Sequence, residues 1–337
     1  YGGMGLGNMA YSRTLQEVGK HDASVAVTIG AHSSIGMRGL LLFGTEEQKQ
    51  RYMPALASGE MIAAFCLTEP GAGSDAAAIK TTAVLEDDHW VLNGSKLWIT
   101  NGGIGGFFTV FARTGPEHGH GKMTAFIVTG DMEGVSIGPH EDKMGLRSSS
   151  TTTVVLEDVK VPLENMLGEP GKGFKIAMQI LNSGRTGLGG GSVGGMKRLI
   201  GLATQQANER KTFGQPISSY GLIKEKVGQM VVDCYTSEAV VTMVGGLIDA
   251  GYEEYAVEAA ISKVYSTECL WRSADEALQI AGGNGYMREV PYERIVRDAR
   301  INRIFEGTNE ILRLFIALTA MNEVAGQLRE LASTMKG

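Results

Sequence analysis

Gly71-Ala72-Gly73-Ser74-Asp75-Ala76 matches the dinucleotide-binding fingerprint GxGxx(G/A), and the residues after it decide the fold. That fingerprint needs a strand before it, a helix after it and a βαβ unit around it. The chain continues instead with short runs rich in β-branched and aromatic residues: Ala83 to Leu85, Trp90 to Leu92, Lys96 to Thr100, Phe107 to Ala112, Thr124 to Thr129 and Thr151 to Leu156. Asp87-Asp88 reads as the turn between the first two, and Asn93-Gly94 as a second tight turn. Short strands joined by short turns argue for an antiparallel barrel or sandwich, and a Rossmann domain is rejected. A Gly-rich loop with Thr68 and Ser74 still offers N–H groups and hydroxyls to a ligand. It reads equally as a plain crossing between domains.

Outward from this middle the period is helical. Thr45-Glu46-Glu47-Gln48 is a capping-box pattern opening a helix towards Leu56. Ala23 to Phe43 is almost uncharged apart from Arg38, which suggests a buried helical segment. Pro162 closes the middle region near Asn165. Beyond Gly171, Ile223, Val227, Met230 and Cys234 repeat on one helix face. Long helices fit roughly 172–212, 220–249, 254–281 and 308–333, broken at 251–252 and 282–285, and a four-helix bundle is their natural packing. Glycine is about twice as common as usual, with a cluster from Gly184 to Gly195 that lets helices or a ligand approach closely. The domains expected are 1–62, 63–165 and 166–337.

Composition excludes more than it assigns. The 337 residues are 43% hydrophobic and 20% charged, with net charge −6, so a nucleic-acid binder is not indicated. Cys66, Cys234 and Cys269 form no CxxC pair, which argues against a disulfide framework or zinc site and fits a reducing compartment. His118 and His120 flank Gly119 beside Glu117, better read as a solvated turn than a metal site. No uninterrupted apolar run reaches about 18 residues, so no membrane-spanning helix is expected.

The chemistry concentrates in Arg303-Ile304-Phe305-Glu306-Gly307-Thr308-Asn309-Glu310. The apolar side desolvates Glu306 and raises its pKa, and Gly307 permits close approach of a ligand to the backbone. Thr308 can cap a helix from Glu310 to Leu318. Such a site suits a general base for a weakly acidic C–H proton; read alone, the run is also a capping turn with a solvated Glu. Glu225, Glu238, Glu253 and Glu254 lack this context and read as solvated.

Five runs in one order, Phe65 to Asp75, Lys96 to Gly102, Glu209 to Gly214, Gln279 to Gly285 and the Glu306 run, closely resemble the acyl-CoA dehydrogenase family of flavoenzymes over nearly the whole chain. Ile29 to Gly36, Asn182-Ser183-Gly184-Arg185 and Phe305 to Leu314 look most like its very-long-chain branch. The resemblance implies an α+β fold with a partial N-terminal helical domain, a middle antiparallel β-barrel domain and a C-terminal four-helix bundle. Both ends look cut relative to that family.

The resemblance also implies roles. FAD would be held by Phe65, Leu67, Thr68, Gly73 and Ser74. Trp98 would pack on the flavin and Thr100 would reach its N5; alternation along a strand puts the two on one side. Arg210, Thr212 and Phe213, with Gln279, Gly282 and Gly283, would hold the FAD of a neighbouring subunit, so the unit is at least a homodimer; read alone, Arg210 and Lys211 are a cationic helix end. Thr308 and Asn309 would complete the cofactor site. Ser74, Ser183, Arg185 and Gly307 would meet the acyl-CoA. Some branches carry the catalytic Glu immediately before the matching Arg; here Gly184 stands there, which leaves Glu306 as the base. The implied reaction is FAD-dependent α,β-dehydrogenation of an acyl-CoA thioester in fatty-acid β-oxidation, with an electron-transfer flavoprotein as acceptor. Rival readings are a same-fold flavin oxidase using O₂ and a non-catalytic respiratory-complex assembly protein. The setting would be the bacterial cytoplasm or the mitochondrial matrix. Val27-Thr28-Ile29-Gly30-Ala31 resembles the helix lining the acyl tunnel, and the small Gly30 and Ala31 leave room for long chains, or only permit close helix packing.

Overall fold

The computed structural model describes residues 1–115 and 122–334; the turn at Glu117, His118 and His120 lies outside them. The chain begins with α1 (Asn8–His21), α2 (Ala23–Gly30), α3 (Arg38–Phe43) and α4 (Glu46–Ser58). Both halves of the capping box form: Gln48 N donates to Thr45 Oγ1 and Thr45 N donates to Gln48 Oε1. The helical segment expected from Ala23 to Phe43 is helical along its length, but it is not one regular α-helix. Ala31–Gly36 is a π-helix between α2 and α3, closed by Met37 N donating to the His32 carbonyl. Ser33 and Ser34 turn their hydroxyls back onto the Ile29 and Gly30 carbonyls there, which competes with regular α-helical bonding.

The middle of the chain is one eight-stranded sheet: β1 (Ala63–Cys66), β2 (Thr82–Glu86), β3 (His89–Thr100), β4 (Phe107–Arg113), β5 (Met123–Thr129), β6 (Val135–Ile137), β7 (Thr151–Pro162) and β8 (Met166–Leu167). Its order is β6-β7-β3-β2-β4-β5-β8, largely antiparallel, with β1 pairing β4 in parallel. Alternation along β4 divides the core. Phe107 and Phe111 pack with Leu40, Leu56 and Ile180 on the helical side, while Phe108 and Val110 pack with Phe126 and Val154 on the other. The Asp87-Asp88 turn forms as expected, with Glu86 opposite His89. The turn expected at Asn93-Gly94 does not. β3 runs through it with a register shift against β7, because the Asn93 amide donates to Asp158 Oδ1 and Asp158 N donates back to Asn93 Oδ1.

The last part is helical: α5 (Gly173–Glu209), then a two-stranded ribbon of β9 (Lys211–Thr212) and β10 (Gln215–Pro216), α6 (Gly221–Asp249), α7 (Ala256–Ala281), α8 (Tyr292–Arg300) and α9 (Asn309–Thr334). The four long helices match the expected ranges closely; α8 was not anticipated. Leu199, Ala203, Met230, Cys269, Leu270 and Ala274 form the core of the bundle. Two segments, Ala23–Phe43 and Gly221–Asp249, are apolar and long enough to cross a membrane by length and composition, which corrects the expectation of none. Mean hydropathy averages over scattered polar residues that interrupt a literal run. Glu238 is not simply solvated either: it accepts from Arg13, Lys197 and Gln16.

Candidate functional site

The loop between α8 and α9 carries Glu306 in a left-handed backbone conformation, φ 57°, followed by Gly307 at φ 90°. A non-glycine residue held there is strained, and such strain persists only where surroundings impose it. Three groups impose it here. Arg185 from α5 donates through Nε to the Glu306 carbonyl at 3.3 Å and through NH1 to Asn182 Oδ1 at 2.8 Å. Lys263 from α7 donates through Nζ to the Gly307 carbonyl at 2.8 Å and to Asn309 Oδ1 at 2.7 Å. Thr308 caps α9, accepting from Ile311 N at 3.3 Å.

The carboxylate these groups present is enclosed. Glu306 Oε2 is buried with no hydrogen-bond partner among the described residues. Burial raises the Glu306 pKa to about 7, against the opposing pull of the Arg185 and Lys263 cations. Burial likewise pushes Lys263 down to about 8. Gly184 is the other wall: a Cβ there would lie 2.7 Å from Glu306 Oε2 and 2.7 Å from Ile35 Cγ2. The two sequence positions for an acid therefore converge on one place, and only one carboxylate fits it.

Glu306 and Gly307 line a cavity of about 420 Å³. Phe65, Leu67, Thr68, Gly73, Ser74, Trp98, Thr100, Arg185, Gly30 and Ala31 line it too, so the structure brings these sequence-predicted residues together. Trp98 gets there differently from the expectation. It has φ 57° at a register shift between Lys96 and Ile99, so a bulge rather than simple alternation aims it. The residue is 62% exposed. Under the loop, Lys96 donates from Nζ to Glu69 Oε1 at 2.7 Å and to the Leu67 carbonyl at 3.2 Å; Glu69 also accepts from Lys80 N and Thr81 N. This buried pair, with the Glu69 N–H bonded to the Ala72 carbonyl, fixes the start of the Thr68 to Ser74 loop.

Other predicted residues lie off the cavity. Asn309 is fully buried, its amide committed to Thr267, Glu268 and Lys263, so its side chain braces the loop and does not face the cavity. Ser183 is buried away from it on α5, and Thr308 is occupied as the cap. Arg210, Thr212, Phe213, Gln279, Gly282 and Gly283 sit at the far end of the bundle. Arg185 and Arg210 are 25 residues apart on α5 and its cap, roughly 37 Å at about 1.5 Å per residue. Phe213 is 97% exposed.

Lys263, Glu69 and Lys96 were missed by sequence reading. The first had a signal: it is a lone cation on the small, apolar face of α7 formed by Ala259, Ala260, Leu270 and Ala274.

An exposed Trp98 beside hydroxyls, a Gly-rich loop and a buried carboxylate form a site whose residues fit a flavin cofactor. The chain belongs to the acyl-CoA dehydrogenase family. Its residues 1–60, 64–159 and 171–321 match the N-terminal, middle and C-terminal domains described for that family. It is 49% identical to the very long-chain specific acyl-CoA dehydrogenase, mitochondrial, of Homo sapiens, over 99% of this chain and 52% of that protein. The chain thus spans about half the length of the curated relatives it matches. Among solved structures, it is similar to the acyl-CoA dehydrogenase complexed with FAD from Bacillus anthracis, with TM-score 0.92 and 45% identity over 97% of this chain and 58% of that one. A structure described as the electron transferring flavoprotein of Acidaminococcus fermentans has TM-score 0.92 and 38% identity, over 95% of this chain and 84% of the other.

Proposed function

We propose that the chain carries out FAD-dependent α,β-dehydrogenation of long-chain acyl-CoA thioesters, with Glu306 as the base. The observation that carries this is the unpartnered Glu306 carboxylate in the wall of a cavity shared with Trp98 and Thr100. FAD, when bound, supplies the acceptor for the hydride that leaves the β-carbon. Thr68, Gly73, Ser74, Trp98 and Thr100 would hold it.

The chain's own residues do the acid–base work. A thioester α-proton is weakly acidic, so the base must be desolvated and the developing enolate stabilised. Burial gives Glu306 its affinity for the proton, and the Arg185 and Lys263 cations keep that affinity near neutral pH. The Glu306 N–H has no backbone partner among the described residues, so it is free to donate to the thioester oxygen. Arg185 and Lys263 hold the strained loop so that N–H and carboxylate keep their relative positions. The apolar walls at Leu15, Val27 and Leu188 exclude water from the acyl chain.

The same reading divides the chain at 1–62, 63–165 and 166–337. It gives Arg210, Thr212, Phe213, Gln279, Gly282 and Gly283 to the cofactor of a second copy in a homodimer or higher oligomer. Their distance from this chain's own base, with Phe213 fully out in solvent, supports that. The electron acceptor in this reading is an electron-transfer flavoprotein. The human relative's name favours a dehydrogenase over an O₂-using oxidase.

The test is Glu306→Gln. FAD should stay bound while flavin bleaching by acyl-CoA falls by several orders of magnitude. Near-normal bleaching in that variant would remove Glu306 from the mechanism.

A further inference from the structure

The cavity continues well past the base. Along α5 it is lined by Gly184, Gly187, Leu188, Gly191, Gly195 and Arg198, one stripe of a helix face. From Gly184 to Arg198 is 14 residues, roughly 21 Å at about 1.5 Å per residue. A Cβ built on Gly191 meets nothing within 4 Å, so the helix face is open there, whereas at Gly187 and Gly195 it would lie 2.9 Å from Leu15 and Leu270 side chains. Leu15, Ala26 and Gly30 form the opposite wall. With C–C bonds of about 1.5 Å, an extended hydrocarbon advances roughly 1.3 Å per bond, so about 16 carbons span this length.

The far end changes chemistry. Lys20 and His21 at the end of α1, Arg198 on α5 and Arg294 on α8 line it together. Arg198 and Arg294 are exposed and make no hydrogen bond or ion pair among the described residues. Among the described residues Lys20 pairs with Glu17 alone, at 4.0 Å. The acids nearby are already engaged. Asp298 accepts from Leu146 N at 2.6 Å, Asp22 accepts from Val25 N at 3.0 Å, and Glu293 is paired with Arg297 at 2.6 Å. The apolar stretch thus ends at a rim where Arg198 and Arg294 have no hydrogen-bond partner among the described residues, with Asp298 the acid on which Arg294 acts.

We infer that this rim binds an anionic ω-terminus, and that the chain accepts long acyl-CoAs whose far end is a carboxylate. The inference rests on the dehydrogenase reading above and names a substrate class within it. A methyl end gains nothing at the rim. A carboxylate there meets guanidinium forks that pair with it bidentately. In a shorter diacid the carboxylate stops inside the apolar stretch, where it is desolvated without a partner. The signature is therefore a penalty for the ω-carboxylate that depends on length: heavy at ten carbons and absent at sixteen.

The experiment compares decanoyl-, decanedioyl-, hexadecanoyl- and hexadecanedioyl-CoA, with flavin bleaching as one readout. Calorimetric binding in a Glu306→Gln background is the other, free of turnover. Wild type should use the sixteen-carbon diacid about as well as the monoacid and reject the ten-carbon diacid. Arg198→Ala with Arg294→Ala should weaken the sixteen-carbon diacid about tenfold, the loss of a charge-assisted pair, and leave hexadecanoyl-CoA unchanged. Rejection of both diacids, or equal effects of the double variant on monoacid and diacid, overturns the rim while leaving the dehydrogenase reading intact. Failure of all four to bleach the flavin, with none bound, overturns both.

Discussion

Glu306→Gln keeps the shape of the side chain and removes its charge, so it also tests the electrostatics that make the site. Burial raises the Glu306 pKa from the usual 4.5 to about 7. The folded protein thus holds this proton more tightly than the unfolded chain does, and ionisation works against the fold. The sign comes from linkage. The contribution of this group favours the native state most below about 4.5; it is lost as pH rises from there to about 7 and levels off above. A shift of about 2.5 pH units, at about 1.4 kcal/mol each, gives roughly 3 kcal/mol. Glutamine does not titrate, and the remaining groups are common to both proteins. The stability of the variant relative to wild type should therefore climb by up to roughly 3 kcal/mol between about pH 5 and about pH 8. Paired thermal melts of the FAD-loaded proteins across that range read it as a growing gap of several degrees. A gap that stays constant, or one that closes with rising pH, refutes the picture of a buried, unpartnered carboxylate.

Three further outcomes are expected. Lys263→Met removes a cation that lowers the Glu306 pKa, so the rise of flavin bleaching with pH should move to higher pH; an unmoved profile would mean that Lys263 does not act on the base. Arg210→Ala should weaken FAD binding and loosen the oligomer together, by roughly 1.5–3 kcal/mol if a charged hydrogen bond crosses the interface. Unchanged FAD affinity with an intact assembly leaves Arg210 only as the cap of α5. Gly30→Gln or Ala31→Gln should shift the acyl-chain optimum towards shorter chains, each excluded CH₂ forfeiting about 0.8 kcal/mol; an unchanged length profile in both variants would make these residues packing elements alone.

The long helices and the main strands were legible from length, composition and the breaks between them: α6 spaces Ile223, Val227, Met230 and Cys234 along one face, and β4 and β5 are short, almost fully buried runs. The elements that escaped were short or locally overridden. Asn93-Gly94 has turn chemistry, but its partner Asp158 lies 65 residues away and binds the asparagine into a bulge. The π-helix depends on serine hydroxyls returning to carbonyls one turn back, which no periodicity reports. The same division holds at the site. Glu306 announced itself because an acid beside Phe305 and Gly307 is locally odd. Lys263 and the Glu69–Lys96 pair act only through contacts made by folding, so their residue types alone point nowhere.

The glycines of α5 show how one helix comes to serve all of this. Each costs about 1 kcal/mol of helix propensity against alanine, and six lie between Gly184 and Gly194. They face different neighbours. Gly184 clears the Glu306 carboxylate, Gly189 meets Ser262 of α7, Gly190 and Gly194 admit the α1 backbone at Ser12 and Gln16, and Gly191 borders open cavity. Propensity alone would not hold such a stretch helical; tertiary packing on α1 and α7 does. The consequence is a wall whose cavity face is largely glycine, interrupted by Leu188, and placed one residue from Arg185. The clamp on the base and the open length of the tunnel are thus fixed by the same backbone, and a bulky residue in this stretch disturbs both.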